Sequence, residues 1–380
     1  MFAGNDNYDF VILQNTLNLV AEKKGEGSSF KVNPYFYHYK QDSLVIGMRE
    51  AYVDLEAGNF ALRLGKQQIV WGKADGVFIT DIISPKNLEE FLLPDFSEIR
   101  MGVTGAKLNY YFENNTIELV FLPVFTPTKL PAKSSVWSPF INFPVAPVFD
   151  YSQSEVKPTL ENSEIFLKYS SLTGSIDYEV MAGYMWDDDA VMYTSMSPNG
   201  AGGMNLKLTP QHHRLTVAGG SFSTTVGPLV LRGEGAFYSG KKFMTTTPQL
   251  NSGITEKDYI HYMAGTDFAL YDVQVSTQII QKSILDYSSD LQSNYSFNGE
   301  NSTMITLLLK YSTLHETLDF ELFSYYDFEF DDSLIRPRVV YDYSDSINLQ
   351  FGANIFTGNS GQFGQYNLND MIYGKILYNF

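Results

Sequence analysis

Alternation with period two, repeated in segments of about ten residues, is the feature that most restricts this chain, because that is the length a tilted strand needs to cross a bilayer. From Leu318 onward, Leu318, Phe320, Leu322, Tyr326, Phe328 and Phe330 fall on one face, and Asp319, Glu321, Phe323, Tyr325, Asp327 and Glu329 on the other. Ile335, Val339, Tyr341 and Tyr343 then oppose Arg336, Arg338 and Asp342, and Ile347, Leu349, Phe351, Ala353 and Ile355 oppose Asn348, Gln350, Gly352 and Asn354. The same split occurs in Ile176 to Trp186 and around Leu229, Leu231 and Phe237 against Arg232, Glu234 and Tyr238. One face suits hydrocarbon and the other suits water.

Short turns join many of these segments: Glu56-Ala57-Gly58-Asn59, Glu113-Asn114-Asn115-Thr116, Leu172-Thr173-Gly174-Ser175, Thr225-Val226-Gly227-Pro228 and Ser344-Asp345-Ser346. These residue types accept turn dihedrals. Longer polar or Pro/Gly-rich connections lie between them, and this asymmetry of the two ends fits an outer-membrane barrel better than a soluble sandwich. The expectation is an all-β, antiparallel transmembrane β-barrel filling residues 1–380 as one domain, with about sixteen strands, between about 14 and 18. Tyr8 to Val20 is left over, as an extra strand or as an N-terminal segment inside the barrel. No repeat of fixed length points to a propeller or solenoid.

Other classes are restricted by composition. The chain has 43 acidic against 26 basic residues, a balance of −17, which disfavours nucleic acid as a partner. It has no cysteine, which excludes disulfides and thiolate chemistry. The uncharged run that most invites a helical reading, Ser134 to Phe149, is broken by Pro139, Pro144 and Pro147, so no membrane helix is expected. Met1-Phe2-Ala3-Gly4-Asn5-Asp6 has neither the basic flank nor the apolar core of a secretory leader, so a place in the bacterial outer membrane implies a leader already removed.

At the C-terminus, Ile372, Gly374, Ile376, Tyr378 and Phe380 occupy every second position, which resembles the assembly signature of bacterial outer-membrane proteins, with Gly374 departing from the usual apolar residue. The string Leu62-Arg63-Leu64-Gly65-Lys66-Gln67-Gln68-Ile69-Val70-Trp71-Gly72-Lys73 follows Arg49-Glu50-Ala51-Tyr52-Val53-Asp54. With Leu334-Ile335-Arg336-Pro337-Arg338-Val339-Val340-Tyr341, it resembles a family of large bacterial outer-membrane barrels catalogued as a domain of unknown function and distantly similar to alginate-export porins. That resemblance implies a wide barrel for export or passage of hydrophobic or polymeric compounds. The present chain is shorter than typical members, and no substrate carries over.

Candidate pore-lining residues follow from the inward faces. Arg63, Gln67 and Trp71 share one face, and Phe60, Leu62, Leu64 and Val70 the other; Lys66 and Gln68 interrupt the lipid side at a bulge or at the membrane edge. Arg232 and Glu234 point inward, Lys310 stands beside Asp319 and Glu321, and Asp327 and Glu329 are expected beside Arg336 and Arg338. Such opposed charges can shape the field of a wet lumen, or simply brace the wall as ion pairs worth little each.

Two connections are too apolar to float in water. Residues 76–100 carry Phe78, Phe91 and Phe96 among many aliphatics, and residues 126–158 carry Trp137, Phe140 and Phe143 among repeated prolines. Both are expected to fold into or over the lumen, where they either constrict it or pack together as a lid. Catalysis has little footing: His38, His212, His213, His261 and His315 lie in no recognisable motif, and Asp187-Asp188-Asp189 lacks the ligand spacing of a dedicated calcium loop. No cofactor and no metal is called for.

The reading is a passive channel for small solutes, including hydrophobic or amphiphilic ones, embedded in lipid with lipopolysaccharide or an equivalent outer-leaflet lipid around it. The acid surplus suggests cation preference. A closed barrel acting as a surface-interaction or adhesion protein is the alternative, and a lipid-acting enzyme a weaker third.

Overall fold

The computed structural model describes residues 2–4, 11–39, 44–139, 145–200, 203–245, 253–292, 297 and 299–380. In chain order the strands are β1 (Phe2–Gly4), β2 (Val11–Asn18), β3 (Ala21–Gly25), β4 (Ser28–Tyr39), β5 (Leu44–Ala57), β6 (Phe60–Gln67), β7 (Val103–Phe112) and β8 (Asn115–Leu122). Next come β9 (Pro147–Phe149), β10 (Glu164–Thr173), β11 (Ile176–Trp186), β12 (Val191–Pro198), β13 (Met204–Gln211), β14 (Arg214–Val226) and β15 (Leu229–Met244). The series ends with β16 (Ile254–Leu270), β17 (Val273–Ile284), β18 (Asn301–Thr313), β19 (Leu318–Asp327), β20 (Asp332–Ser344), β21 (Ile347–Thr357) and β22 (Met371–Tyr378). Two single-turn helices, α1 (Phe96–Ile99) and α2 (Gly361–Gly364), lie in connections.

All strands except β9, β12 and β13 form one antiparallel sheet of 19 segments. β2 and β3 pair with successive stretches of β4 and act as one interrupted strand, so the described residues give eighteen positions in the sheet. The break has a local cause. Pro34 cannot donate to the ladder, the β4–β5 register shifts between Asn33 and Pro34, and Leu19 N donates to the Pro34 carbonyl at 3.1 Å. β1 pairs with β2 on one side and β22 on the other, bringing the last strand against the first. The leftover segment Tyr8 to Val20 thus contributes a wall strand, Val11–Asn18.

Alternation is what builds the wall. Along β19, Phe320 and Tyr326 are exposed toward lipid, whereas Tyr325 and Asp327 are buried on the inner face. On β22, Ile372, Ile376 and Tyr378 are exposed in the same manner. Each of the five short turns read from the sequence joins neighbouring antiparallel strands. The opposite end carries the long connections, and β12, β13 and β9 form a separate three-stranded sheet among them.

The apolar core lies inside the ring of strands. Ile69, Trp71, Ile79, Ile82 and Ile83 of the β6–β7 connection are buried with inward residues such as Val120, Phe166, Met185, Val217 and Tyr238. Phe91, Leu92 and Ile99 of the same connection form a second cluster with Trp137, Tyr325, Leu334, Phe356 and Phe363. Trp71 departs from expectation, because β6 ends at Gln67 and the indole belongs to the connection. Gln68, one residue past the strand, donates to the Ser97 carbonyl at 2.7 Å. Its place at the strand's end accounts for the polar interruption there.

Candidate functional site

Segment 68–102 is tied to side chains distributed around the sheet. Buried Glu234 on β15 accepts from Lys73 N at 2.5 Å, Ala74 N at 2.8 Å, Thr80 N at 2.7 Å and the Thr80 hydroxyl at 2.8 Å. Its neighbour on the same face, Arg232, donates to the Lys73 carbonyl at 2.6 Å and pairs with Asp75 at 2.6 Å and Asp267 at 2.7 Å. Gln278 on β17 accepts from Asp75 N and donates to Asp75 O, both at 2.9 Å. Two phenols complete this side: Tyr325 donates to Gly76 O at 2.9 Å and Tyr238 to Ile79 O at 2.5 Å. Taking a carboxylate out of water is costly unless donors replace the lost hydration, and the connection supplies four.

Two glycines permit that approach. Gly72 and Gly76 hold φ of +87° and +79°, and a Cβ on Gly72 would stand 2.4 Å from a Glu234 carboxylate oxygen. A Cβ on Gly76 would fall 2.5 Å from the Phe323 ring. Any other residue would have both strain and a clash there.

The far end of the connection is fixed by charge. Arg49 on β5 pairs with Glu98 at 3.0 Å and donates to the Tyr37 hydroxyl at 2.6 Å. Asp95, just before α1, lies 3.6 Å from Arg338 and 3.4 Å from Lys375. Arg336 donates to the carbonyls of Leu92 at 3.0 Å and Leu93 at 2.7 Å, and to Asn354 at 3.0 Å. Within the connection, Asp81 pairs with Arg100 at 2.6 Å; burial pushes the Asp81 carboxyl up, against the pull of that guanidinium. Trp71 donates its indole N–H to Glu118 at 2.5 Å.

Closer to the short turns, ion pairs cross between adjacent strands. Lys31–Glu50 stands at 2.6 Å, Asp54–Arg63 at 2.7 Å, Lys107–Glu118 at 3.9 Å, Lys168–Glu179 at 3.6 Å and Lys310–Asp319 at 2.9 Å. Glu321 meets both Lys310, at 3.7 Å, and Arg338. The structure therefore brings together Arg63 with Asp54, Arg232 with Glu234 through the connection they share, and Lys310 with Asp319, Glu321 and Arg338. Gln67 is fully buried and donates to the Gly105 carbonyl at 3.4 Å.

Asp327 and Glu329 do not stand beside Arg336 and Arg338. Asp327 is opposite Asp332 in the register, which places Phe323 opposite Arg336 and Glu321 opposite Arg338. Asp327 instead accepts from Glu329 N and Phe330 N at 3.0 Å, and Glu329 accepts from Thr303 N at 2.6 Å. A tight turn over 328–331 sets this register, and carboxylates near a turn find backbone donors first.

Among the apolar candidates, Phe78 meets Phe96 edge-on at 5.8 Å, with Lys86 at 5.2 Å and Arg100 at 5.3 Å over its ring. Phe91 stacks on Trp137 at 6.3 Å and tilts against Tyr366 at 4.9 Å. Trp137 brings the two long connections into contact, and its carbonyl accepts from the Tyr366 hydroxyl at 2.9 Å. Phe140 and Phe143 lie outside the described residues.

Asp75, Gln278, Tyr238 and Tyr325 were not singled out by sequence reasoning. Tyr238 and Tyr325 did fall on inward faces, but which polar inward residue meets the connection depends on contacts 150 to 250 residues apart along the chain. Asp187-Asp188-Asp189 follows β11, with Asp187 paired to Lys241 at 2.7 Å. Burial holds the Asp188 carboxyl well above the usual range, with Lys86 pulling the other way. Among the described residues, no group of three or more His, Asp or Glu side chains is placed to hold a metal ion.

Several solved outer-membrane barrels share this fold. OpdO of Pseudomonas aeruginosa superimposes with a TM-score of 0.56 at 12% identity, over 99% of this chain and 92% of that one. OccK2 (OpdF) of the same organism, solved in complex with glucuronate, gives 0.55 at 10% identity over 100% and 95%, and OccK8 (OprE) gives 0.54 at 8% over 99% and 94%. No curated protein matches the chain. Residues 2–380 match the family described as "Protein of unknown function (DUF1302)", and the chain belongs to that family.

Proposed function

We propose that this barrel is a passive channel of the bacterial outer membrane, in which segment 68–102 forms the constriction and solutes are selected by size and by the field of the inner wall. The observation that carries the reading is the docking of that segment onto inward side chains of β5, β15, β17, β19 and β20. A fold shared with outer-membrane barrels supports the location, with lipid and an outer-leaflet lipid such as lipopolysaccharide as surroundings. Selection of this kind needs fixed walls and no chemical step. The acid surplus of the chain supports a preference for cations, and the apolar rings of Phe78, Phe91 and Phe96 support tolerance of amphiphilic solutes.

Liposome swelling tests the reading. Proteoliposomes diluted into a graded series of sugars, salts and short fatty acids should swell at rates that fall with solute size; rates equal to protein-free liposomes for every solute contradict it.

One observation favours a closed barrel engaged in surface contacts: the two aromatic and aliphatic clusters bury much of segment 68–102, and Trp137 covers one of them. Under that reading the same liposomes stay silent.

A further inference from the structure

A cavity of about 780 Å³ lies beside the docked connection, bounded by segment 76–92, the residues after β11 and the loop-side halves of β15 to β19. Part of its lining is aromatic. Tyr238 and Tyr259 are parallel with centroids 4.4 Å apart, and Phe297 meets Tyr259 edge-on at 5.1 Å. The rest is ionic, with both signs present.

Some of those charges are satisfied within the protein, as Asp187 is by Lys241 at 2.7 Å and Asp81 by Arg100 at 2.6 Å. Others are not. Among the described residues, the Asp188 carboxylate and the Lys86 ammonium have no ion-pair partner, although both line this one cavity. His261, 6% exposed, also lines it, and its ring makes no hydrogen bond among the described residues. His261 is the direct cross-strand partner of Lys282, which lines the cavity too.

A buried polar ring without a partner is costly, and so is a half-buried charge without its counter-ion. The cavity is roomy enough for a molecule well above water in size. An occupant with one charge would leave either the acid or the base uncompensated. An occupant with both signs would compensate the two together, and the aromatic lining would take an apolar body.

We infer that this cavity binds a small zwitterionic solute with an apolar body, its ammonium directed to Asp188, its carboxylate to Lys86 and the His261 N–H, and its apolar part on Tyr238 and Tyr259. The inference rests on the channel reading for the solute's route to the cavity, and stands apart from it for binding. Burial raises the Asp188 carboxyl, and a bound ammonium relieves that penalty.

Calorimetric titration of the detergent-solubilised full chain with L-phenylalanine, 3-phenylpropionate and 2-phenylethylamine tests it. L-Phenylalanine should bind at least about tenfold more tightly than either singly charged analogue. Asp188→Asn should reduce it to the level of 3-phenylpropionate, and Lys86→Met to the level of 2-phenylethylamine, with heat-dependent gel mobility reporting that each variant folds. Asp188→Glu should retain the preference and serves if Asp188→Asn does not fold. Equal binding of all three probes, tighter binding of a singly charged one, or no heat with any overturns the inference. Bilayer current from the same preparation separates the two claims: current without binding overturns the site alone, and binding without current overturns the channel alone.

Discussion

Glu234 and Thr80 meet twice, the carboxylate accepting from the threonine backbone N–H at 2.7 Å and from its hydroxyl at 2.8 Å, across 154 residues of chain. With Lys73 N and Ala74 N on its other oxygen, Glu234 is the point at which the connection after β6 is held to the opposite part of the wall. Glu234→Ala leaves four donors without an acceptor in a site closed to water. It should weaken docking of the connection by about 3–5 kcal/mol, by analogy with breaking a buried charged network. Single-channel recordings should show larger and noisier steps; steps identical to the parent would show that the carboxylate does not hold the connection.

Gly72 makes the same point from the backbone. Gly72→Ala adds a methyl 2.4 Å from the Glu234 carboxylate at a φ of +87°. The strain is about 1–3 kcal/mol before any clash is counted, so the variant should behave like Glu234→Ala in recordings, with its barrel unfolding at a similar denaturant concentration to the parent.

The Phe91–Trp137 stack joins the two long connections, and Phe91 also touches Phe356, Phe363 and Tyr366. Truncation to alanine leaves a cavity costing about 3–5 kcal/mol. Limited proteolysis should then cut Phe91→Ala near residue 137 at least about tenfold faster, since cleavage follows the open population. An unchanged cutting rate would separate the two connections.

The wall pairs should be weak by contrast. Lys310, Asp319, Glu321 and Arg338 face a wet interior and remain partly exposed. A double-mutant cycle on Glu321→Gln and Arg338→Gln should give a coupling of about 0.2–1 kcal/mol. Reversal potentials in asymmetric salt should move toward cations for Arg338→Gln and toward anions for Glu321→Gln.

Asp188 supplies a pH dependence. Its carboxyl titrates above the ordinary carboxylate range because of burial, with Glu164, Asp187 and Asp189 adding repulsion and Lys86 opposing. As pH falls through that raised range the group gains a proton and loses its negative charge, so cation preference should decline at a pH where exposed carboxylates are still ionised. Asp188→Asn should remove that step from the selectivity profile. A profile unchanged by the substitution would place the titration elsewhere.

Much of the wall could be read from the chain alone because lipid on one side and water on the other impose a period that short turns merely punctuate. Phe320 and Tyr326 against Tyr325 and Asp327 is that rule at four positions. The apolar character of residues 76–100 was equally visible, since Ile79, Ile82 and Ile83 have to be covered by something. What could not be read was register and docking. The pairing of Arg338 with Glu321 follows from a turn that sets Asp327 opposite Asp332, and one residue of slip would have exchanged every partner. The β12–β13 hairpin was missed although Met204, Leu206 and Leu208 alternate with Asn205, Lys207 and Thr209, because the run is short, lies within a long connection, and buries Leu206 and Leu208 inside the protein instead of turning them to lipid.

Planar-bilayer recording of the parent chain beside a variant lacking residues 76–100 is the most direct test of the channel. The account predicts discrete current steps from the parent and larger steps from the deletion, because the connection that narrows the path is gone. Silence from both, with each protein folded and inserted, would contradict it.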